Sequence, residues 1–104
     1  MSVRLPQLYF NASLLQRGID PVEHEIAAEK AASLGRAGRK VEESIERLRA
    51  HQGDPVERIA LLKDAAEAVY GYFIQREICG LRRHQDVIRE YQIPNEVLSR
   101  LGAK

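Results

Sequence analysis

The stretches Asp20-Pro21-Val22-Glu23 and Asp54-Pro55-Val56-Glu57 are the same tetrapeptide, and each is a signal for the start of a helix. An Asp side chain accepts hydrogen bonds from the free N–H groups of a first helical turn. Pro is favoured at the first helical position, where no N–H donor is needed. A Glu side chain at the third position is stabilised by the positive, N-terminal end of the helix dipole. The sequence therefore predicts two long helices, which begin at Pro21 and Pro55.

The spacing of apolar residues predicts where these helices end. The first runs to about Ala50, with Gly53 as its terminating residue, and it carries apolar rows at helical spacing. Those rows are Ala27, Leu34, Val41 and Leu48, then Ala31, Gly38 and Ile45. The second helix carries the row Ile59, Leu62, Ala66, Val69 and Phe73, and it is predicted to break near Cys79-Gly80. Short helices should follow, the last from Pro94 to about Leu101.

These elements predict an all-α fold, a long antiparallel helical hairpin with short C-terminal helices and an N-terminal arm. We expect residues 1–19 to form the arm and residues 20–104 to form a single helical domain. Two long helices bury only one face each against one another, and a domain normally needs a second layer over the remaining apolar surface. We therefore expect two hairpins to form a four-helix bundle as a dimer.

Small residues on the first helix predict a close crossing with another helix. Each Gly within a helix costs about 1 kcal/mol relative to Ala, so Gly35 and Gly38 call for a packing reason. The second helix has more large apolar residues than one buried helix face can hold. The predicted structural interface comprises Ala31, Leu34, Gly35, Gly38, Tyr70, Tyr72 and Phe73.

The charge balance gives no bulk electrostatic reason to bind nucleic acid or an anionic membrane. The 104 residues include 16 basic and 15 acidic side chains, a net charge of +1. Such a chain lacks the excess of cations that neutralises phosphates. No apolar run approaches a membrane span, and no signal peptide is visible. One cysteine, Cys79, excludes an internal disulfide, so we expect a cytoplasmic protein.

No catalytic, metal or cofactor motif is found, so an enzyme is not predicted. The histidines His24, His51 and His84 form neither His-x-x-x-His nor Glu-x-x-His, the spacings that place two ligands on one helix face. Cys79 has two readings. Neighbouring arginines can make a thiol reactive, whereas a small buried side chain is the commoner role.

Three function hypotheses from different classes remain. The leading one is a non-enzymatic, self-associating interaction module, a homodimer that could also bind another protein. The second is a DNA-binding accessory protein that uses a helix-turn-helix-like segment, residues 86–101. Against it, Gln92 replaces the usual turn Gly, Ile88 is bulky, and Glu96 opposes phosphate binding. The third is a small enzyme with a site between subunits.

Three segments resemble a known family. They are Ala28-Glu29-Lys30-Ala31-Ala32-Ser33-Leu34-Gly35-Arg36-Ala37-Gly38-Arg39, Gln75-Arg76-Glu77-Ile78-Cys79-Gly80-Leu81-Arg82 and Ile93-Pro94-Asn95-Glu96-Val97-Leu98-Ser99-Arg100-Leu101-Gly102. With them, residues 20–102 resemble a small family of uncharacterised proteobacterial helical proteins, a domain of unknown function. The resemblance implies a bacterial cytoplasmic helical protein and supplies no activity or site residue.

Overall fold

The computed structural model describes residues 20–103, which form four helices and no strand. The helices are α1 (Pro21–Ala50), α2 (Pro55–Ile78), α3 (Gln85–Glu90) and α4 (Asn95–Leu98). The predicted all-α class is confirmed, whereas the predicted arm lies outside the described residues. The last helix is shorter than predicted, because only isolated turns follow Leu98.

Both predicted caps start their helices as expected. The Asp20 carboxylate accepts a hydrogen bond from the Glu23 backbone N–H at 2.8 Å, and the Asp54 carboxylate accepts one from Val56 N–H at 2.9 Å. Each Asp thus satisfies a first-turn donor that would otherwise lack a partner. The repeated tetrapeptide therefore reflects repeated cap chemistry.

The end of α2 is a Schellman motif built on Gly80. The Leu81 N–H donates to the Arg76 carbonyl at 2.8 Å, and the Gly80 N–H donates to Glu77 at 3.0 Å. Gly80 has φ of +89°, a left-handed conformation that glycine adopts without steric cost. The predicted break at Cys79-Gly80 is thereby confirmed, and it turns the chain into the C-terminal helices.

The chain divides into two compact units, Met1–Ala32 and Ser33–Lys104. In the first, every described residue is exposed except His24, which is half-buried. The second holds one apolar core, to which α1, α2, α3 and α4 all contribute. Its buried residues are Val41, Ile45, Leu48, Leu62, Ala65, Ala66, Val69, Tyr72, Phe73, Val87, Ile93 and Val97.

Each of the three predicted apolar rows needs a correction. The α1 core begins at Gly38, because Ala27 and Ala31 are exposed and Leu34 is only half-buried. Ile59 of α2 was expected in the core and is instead 46% exposed. At these positions, an apolar side chain at helical spacing is therefore not buried within the described chain.

The turn between α3 and α4 depends on a residue in an uncommon conformation. Gln92 is the one non-glycine residue among residues 20–103 with positive φ, at +52°. The Arg49 guanidinium of α1 donates to the Gln92 carbonyl, which ties this turn to the end of α1. At the end of α3, the Gln92 N–H donates to the Arg89 carbonyl at 3.1 Å, and the Ile93 N–H donates to the Ile88 carbonyl at 3.0 Å.

Candidate interaction surface

A row of exposed apolar side chains runs along the outer face of α2. Five residues spaced for one helix face form what we term the α2 stripe, and they are exposed by 40–73%. They are Val56, Ile59, Tyr70, Ile74 and Ile78. Lys63 and Glu67 occupy the middle of the same face and are also exposed. Large contiguous apolar patches are uncommon on monomeric proteins and mark interaction sites.

The C-terminal residues flank the stripe beside Tyr70. A cleft of about 390 Å³ lies between Lys63, Glu67 and Tyr70 on one side and Arg100, Gly102 and Ala103 on the other. A Cβ atom built on Gly102 would lie 3.6 Å from the Tyr70 ring. Tyr70 nevertheless remains 46% exposed, so the tail covers only one edge of this ring.

A second surface is the groove between residues 33–47 of α1 and α2, which charged and small residues line. Its volume is about 630 Å³. Its floor contains small residues, among them Ala37, Ala68 and Gly71. Its walls carry charges of both signs: Arg36, Lys40, Glu43, Arg47, Asp64 and Glu67. The groove therefore combines charged walls with a floor of small side chains.

The aromatic cluster around Gly38 belongs to the interior of the 33–104 unit. Tyr72 and Tyr91 meet edge to face with ring centroids 5.8 Å apart. A Cβ atom on Gly38 would lie 2.9 Å from the Tyr91 hydroxyl and 3.5 Å from Tyr72. Burial raises the pKa of Tyr91, and the neighbouring Tyr72 raises it further. Gly38 thus allows the close approach of these two rings.

His84 is held by groups of α2 in a fixed orientation. Its ring stacks on Phe73 with centroids 4.1 Å apart. The Arg76 Nε–H donates to His84 Nδ1 at 3.2 Å, so the proton of the neutral ring lies on Nε2, which is 3.0 Å from a Glu77 carboxylate oxygen. No group of three or more potential metal ligands occurs between residues 20 and 103. These contacts therefore give His84 a structural role at the end of α2.

The predicted interface residues divide into exposed and internal groups. Ala31, Gly35 and Tyr70 are exposed, and Leu34 is half-buried. Gly38, Tyr72 and Phe73 are buried within the 33–104 unit. Of the seven, Tyr70 alone lies on the α2 stripe. Sequence reasoning missed Val56, Ile59 and Ile78 as surface residues, although their helical spacing on a second face of α2 was readable.

The segment 86–101 folds as a corner against α2. Its second helix, α4, has four residues, and Val97 of that helix is fully buried. Arg58 of α2 forms a bidentate ion pair with Glu96, at 2.6 and 3.2 Å. These hydrogen bonds lower the pKa of the Glu96 carboxyl and raise that of Arg58. Glu96 thus places a carboxylate on α4, where a recognition helix would need cations, and its charge is neutralised by Arg58.

The fold and its surface define a small all-α protein with an exposed apolar helix face. The chain belongs to a family of unknown function, DUF6665, whose model matches residues 1–104. The predicted membership is thereby confirmed, and the proteobacterial origin stays a prediction. Neither a curated protein nor a solved structure matches the chain. No helix within the described range is long and apolar enough to cross a membrane.

Proposed function

We propose that this protein is a non-enzymatic, self-associating helical interaction module, and that a second copy covers the α2 stripe. The observation that carries the proposal is the row of exposed apolar side chains formed by Val56, Ile59, Tyr70, Ile74 and Ile78, which only Lys63 and Glu67 interrupt. We further propose a bacterial cytoplasmic setting, which the use of a single cysteine supports. Two hairpins joined in this way would form a four-helix assembly with both copies of α2 at its centre.

The energetics favour a weak, concentration-dependent dimer. Full burial of a large apolar side chain is worth about 1.5–3 kcal/mol, so a half-exposed one can gain about 1 kcal/mol more. Two copies of a five-residue stripe would then gain on the order of 10 kcal/mol, against an association cost of roughly 4–15 kcal/mol. At the low end of that cost the net gain is about 6 kcal/mol, which corresponds to a dissociation constant of tens of micromolar.

Light scattering on eluted protein tests the proposal. Between roughly 5 and 200 μM, the mass should rise from the 11.8 kDa of one chain towards twice that value. Ile74→Glu should keep the mass at one chain throughout, because it would bury a carboxylate in an apolar contact. Ile74 is 40% exposed, so this change should leave the fold intact by circular dichroism.

Arg39→Glu serves as the control for added negative charge. Arg39 is exposed on α1, away from the stripe, and its reversal changes the net charge more than Ile74→Glu does. The control should associate like the wild type. A wild-type mass of one chain up to 200 μM would refute the proposal, as would undiminished association of Ile74→Glu.

A further inference from the structure

The α2 stripe carries a pattern that is complementary to itself. Lys63 and Glu67 are exposed residues of opposite charge, placed two positions before and two positions after residue 65. Val56 and Ile74 lie nine positions on either side of the same residue. Ile59 and Tyr70 are nearly symmetric about it. Four of the five apolar positions thus mirror one another, and the cation mirrors the anion, whereas Ile78 falls level with Gln52, before α2 begins.

From this pattern we infer that two copies of α2 pair antiparallel, with a two-fold axis at the level of residue 65. The inference rests on the proposed self-association and specifies its geometry. In this register Val56 meets Ile74 of the second copy, Ile59 meets Tyr70, and Lys63 meets Glu67. Each contact occurs twice because of the symmetry, and the lysine stems add apolar cover over the centre.

Other arrangements of the same face bring like charges together. A parallel pair in register places Lys63 against Lys63 and Glu67 against Glu67. An antiparallel pair centred on residue 67 brings the two Glu67 carboxylates together. Like charges across an interface oppose association, so the charge pattern selects the register centred on residue 65.

Gly71 gives a second and independent indication. A glycine inside a helix costs about 1 kcal/mol relative to Ala, and a Cβ atom built on Gly71 would meet no atom within 4 Å. Packing among the described residues therefore gives no reason for a glycine here. In the inferred register, Gly71 is level with Ile59 and one residue from the exposed Ala60 of the second copy, on the edge of the stripe that borders the α1–α2 groove. Two small residues there allow the helix backbones to approach closely.

Charge reversal distinguishes this register from other modes of association. At low salt, where exposed charges are least screened, Lys63→Glu and Glu67→Lys should each weaken self-association by roughly tenfold or more. The double variant should recover wild-type association, because the swapped charges again oppose one another. An equimolar mixture of the two single variants should form heterodimers, in which each cross-chain pair joins opposite charges.

Gly71→Leu provides a test that a folding defect cannot mimic. The open space around Gly71 and the better helix propensity of Leu predict unchanged or increased resistance to urea. The added side chain should nevertheless weaken self-association by roughly tenfold or more, since it would separate the paired backbones. Gly71→Ala, with one added carbon, should have the smaller effect.

The outcomes separate the two proposals. If the wild type remains a single chain at 200 μM, both self-association and its geometry are wrong. If the wild type dimerises and the single reversals or Gly71→Leu dimerise equally well, the register is wrong while self-association stands. Single variants that fail to recover on mixing would also overturn the register, because cross-chain pairing requires that recovery.

Discussion

Replacing Gly38 tests whether the aromatic cluster sets the packing of α1. In the structure, a Cβ atom at this position would lie 2.9 Å from the Tyr91 hydroxyl, which is closer than real Cβ contacts. Gly38→Ala gains about 1 kcal/mol of helix propensity and pays an overpacking cost of about 1–3 kcal/mol. We therefore expect Gly38→Ala to destabilise the fold by about 0–2 kcal/mol, and Gly38→Leu to destabilise it more.

Removing the Tyr91 hydroxyl should reverse the effect of Gly38→Ala on the free energy of unfolding. With Tyr91→Phe in place, the nearest remaining atom is Tyr72 Cε1 at 3.5 Å, an ordinary contact. Gly38→Ala should then be neutral or stabilising by up to about 1 kcal/mol. A double-mutant cycle measured by urea denaturation should give a coupling free energy of about 1–3 kcal/mol between residues 38 and 91.

Gly71→Ala is the matched control, because it makes the same change in a helix where a Cβ meets no atom within 4 Å. Measured at a few micromolar, it should stabilise the fold by about 1 kcal/mol in both backgrounds. If Gly38→Ala costs the same free energy with Tyr91 and with Tyr91→Phe, the hydroxyl does not set the packing. A close approach of Tyr91 to α1 would then be contradicted.

Two further predictions concern a helix cap and an ion pair. Asp54→Ala should lower the free energy of unfolding in urea by about 0.5–2 kcal/mol, because the Val56 N–H loses its acceptor. An unchanged urea midpoint would mean that this cap does not stabilise α2. Arg58 lowers the Glu96 pKa below its reference value of 4.5, so the pair should stabilise the fold above that pH and lose this contribution as pH falls through the lowered pKa. Stability measured between pH 6 and about 3 should therefore fall more steeply for the wild type than for Glu96→Gln, and identical pH profiles would contradict this.

Helix starts were predictable because their causes are local. The Asp20 and Asp54 carboxylates bond to N–H groups two or three residues away, so a tetrapeptide contains all the chemistry of the cap. The break after α2 was predictable for a similar reason, since a single glycine, Gly80, supplies the left-handed conformation that ends the helix. Such elements need no knowledge of the rest of the fold.

Which apolar residues are buried was less predictable, because helical spacing identifies a face and not its neighbour. Ile59 follows the same periodicity as Leu62 and Val69, yet it lies on the outer side of α2. Contacts distant in sequence were also invisible. Gly38 packs against Tyr91, and Arg49 binds the Gln92 carbonyl, pairings that only the folded chain brings together. The candidate surface therefore emerged from exposure, not from a motif.

The distance between two copies of Cys79 reports directly on the antiparallel pairing of α2. Cys79 is the only cysteine in the chain, so a nitroxide label can be placed there without other substitutions. It lies fourteen residues beyond residue 65, and at 1.5 Å per residue the inferred antiparallel pair separates the two positions by about 40 Å. Double electron–electron resonance at about 200 μM should therefore give a distance near 40 Å. A distance below about 25 Å, or no intermolecular distance at all, would contradict the antiparallel pairing of α2.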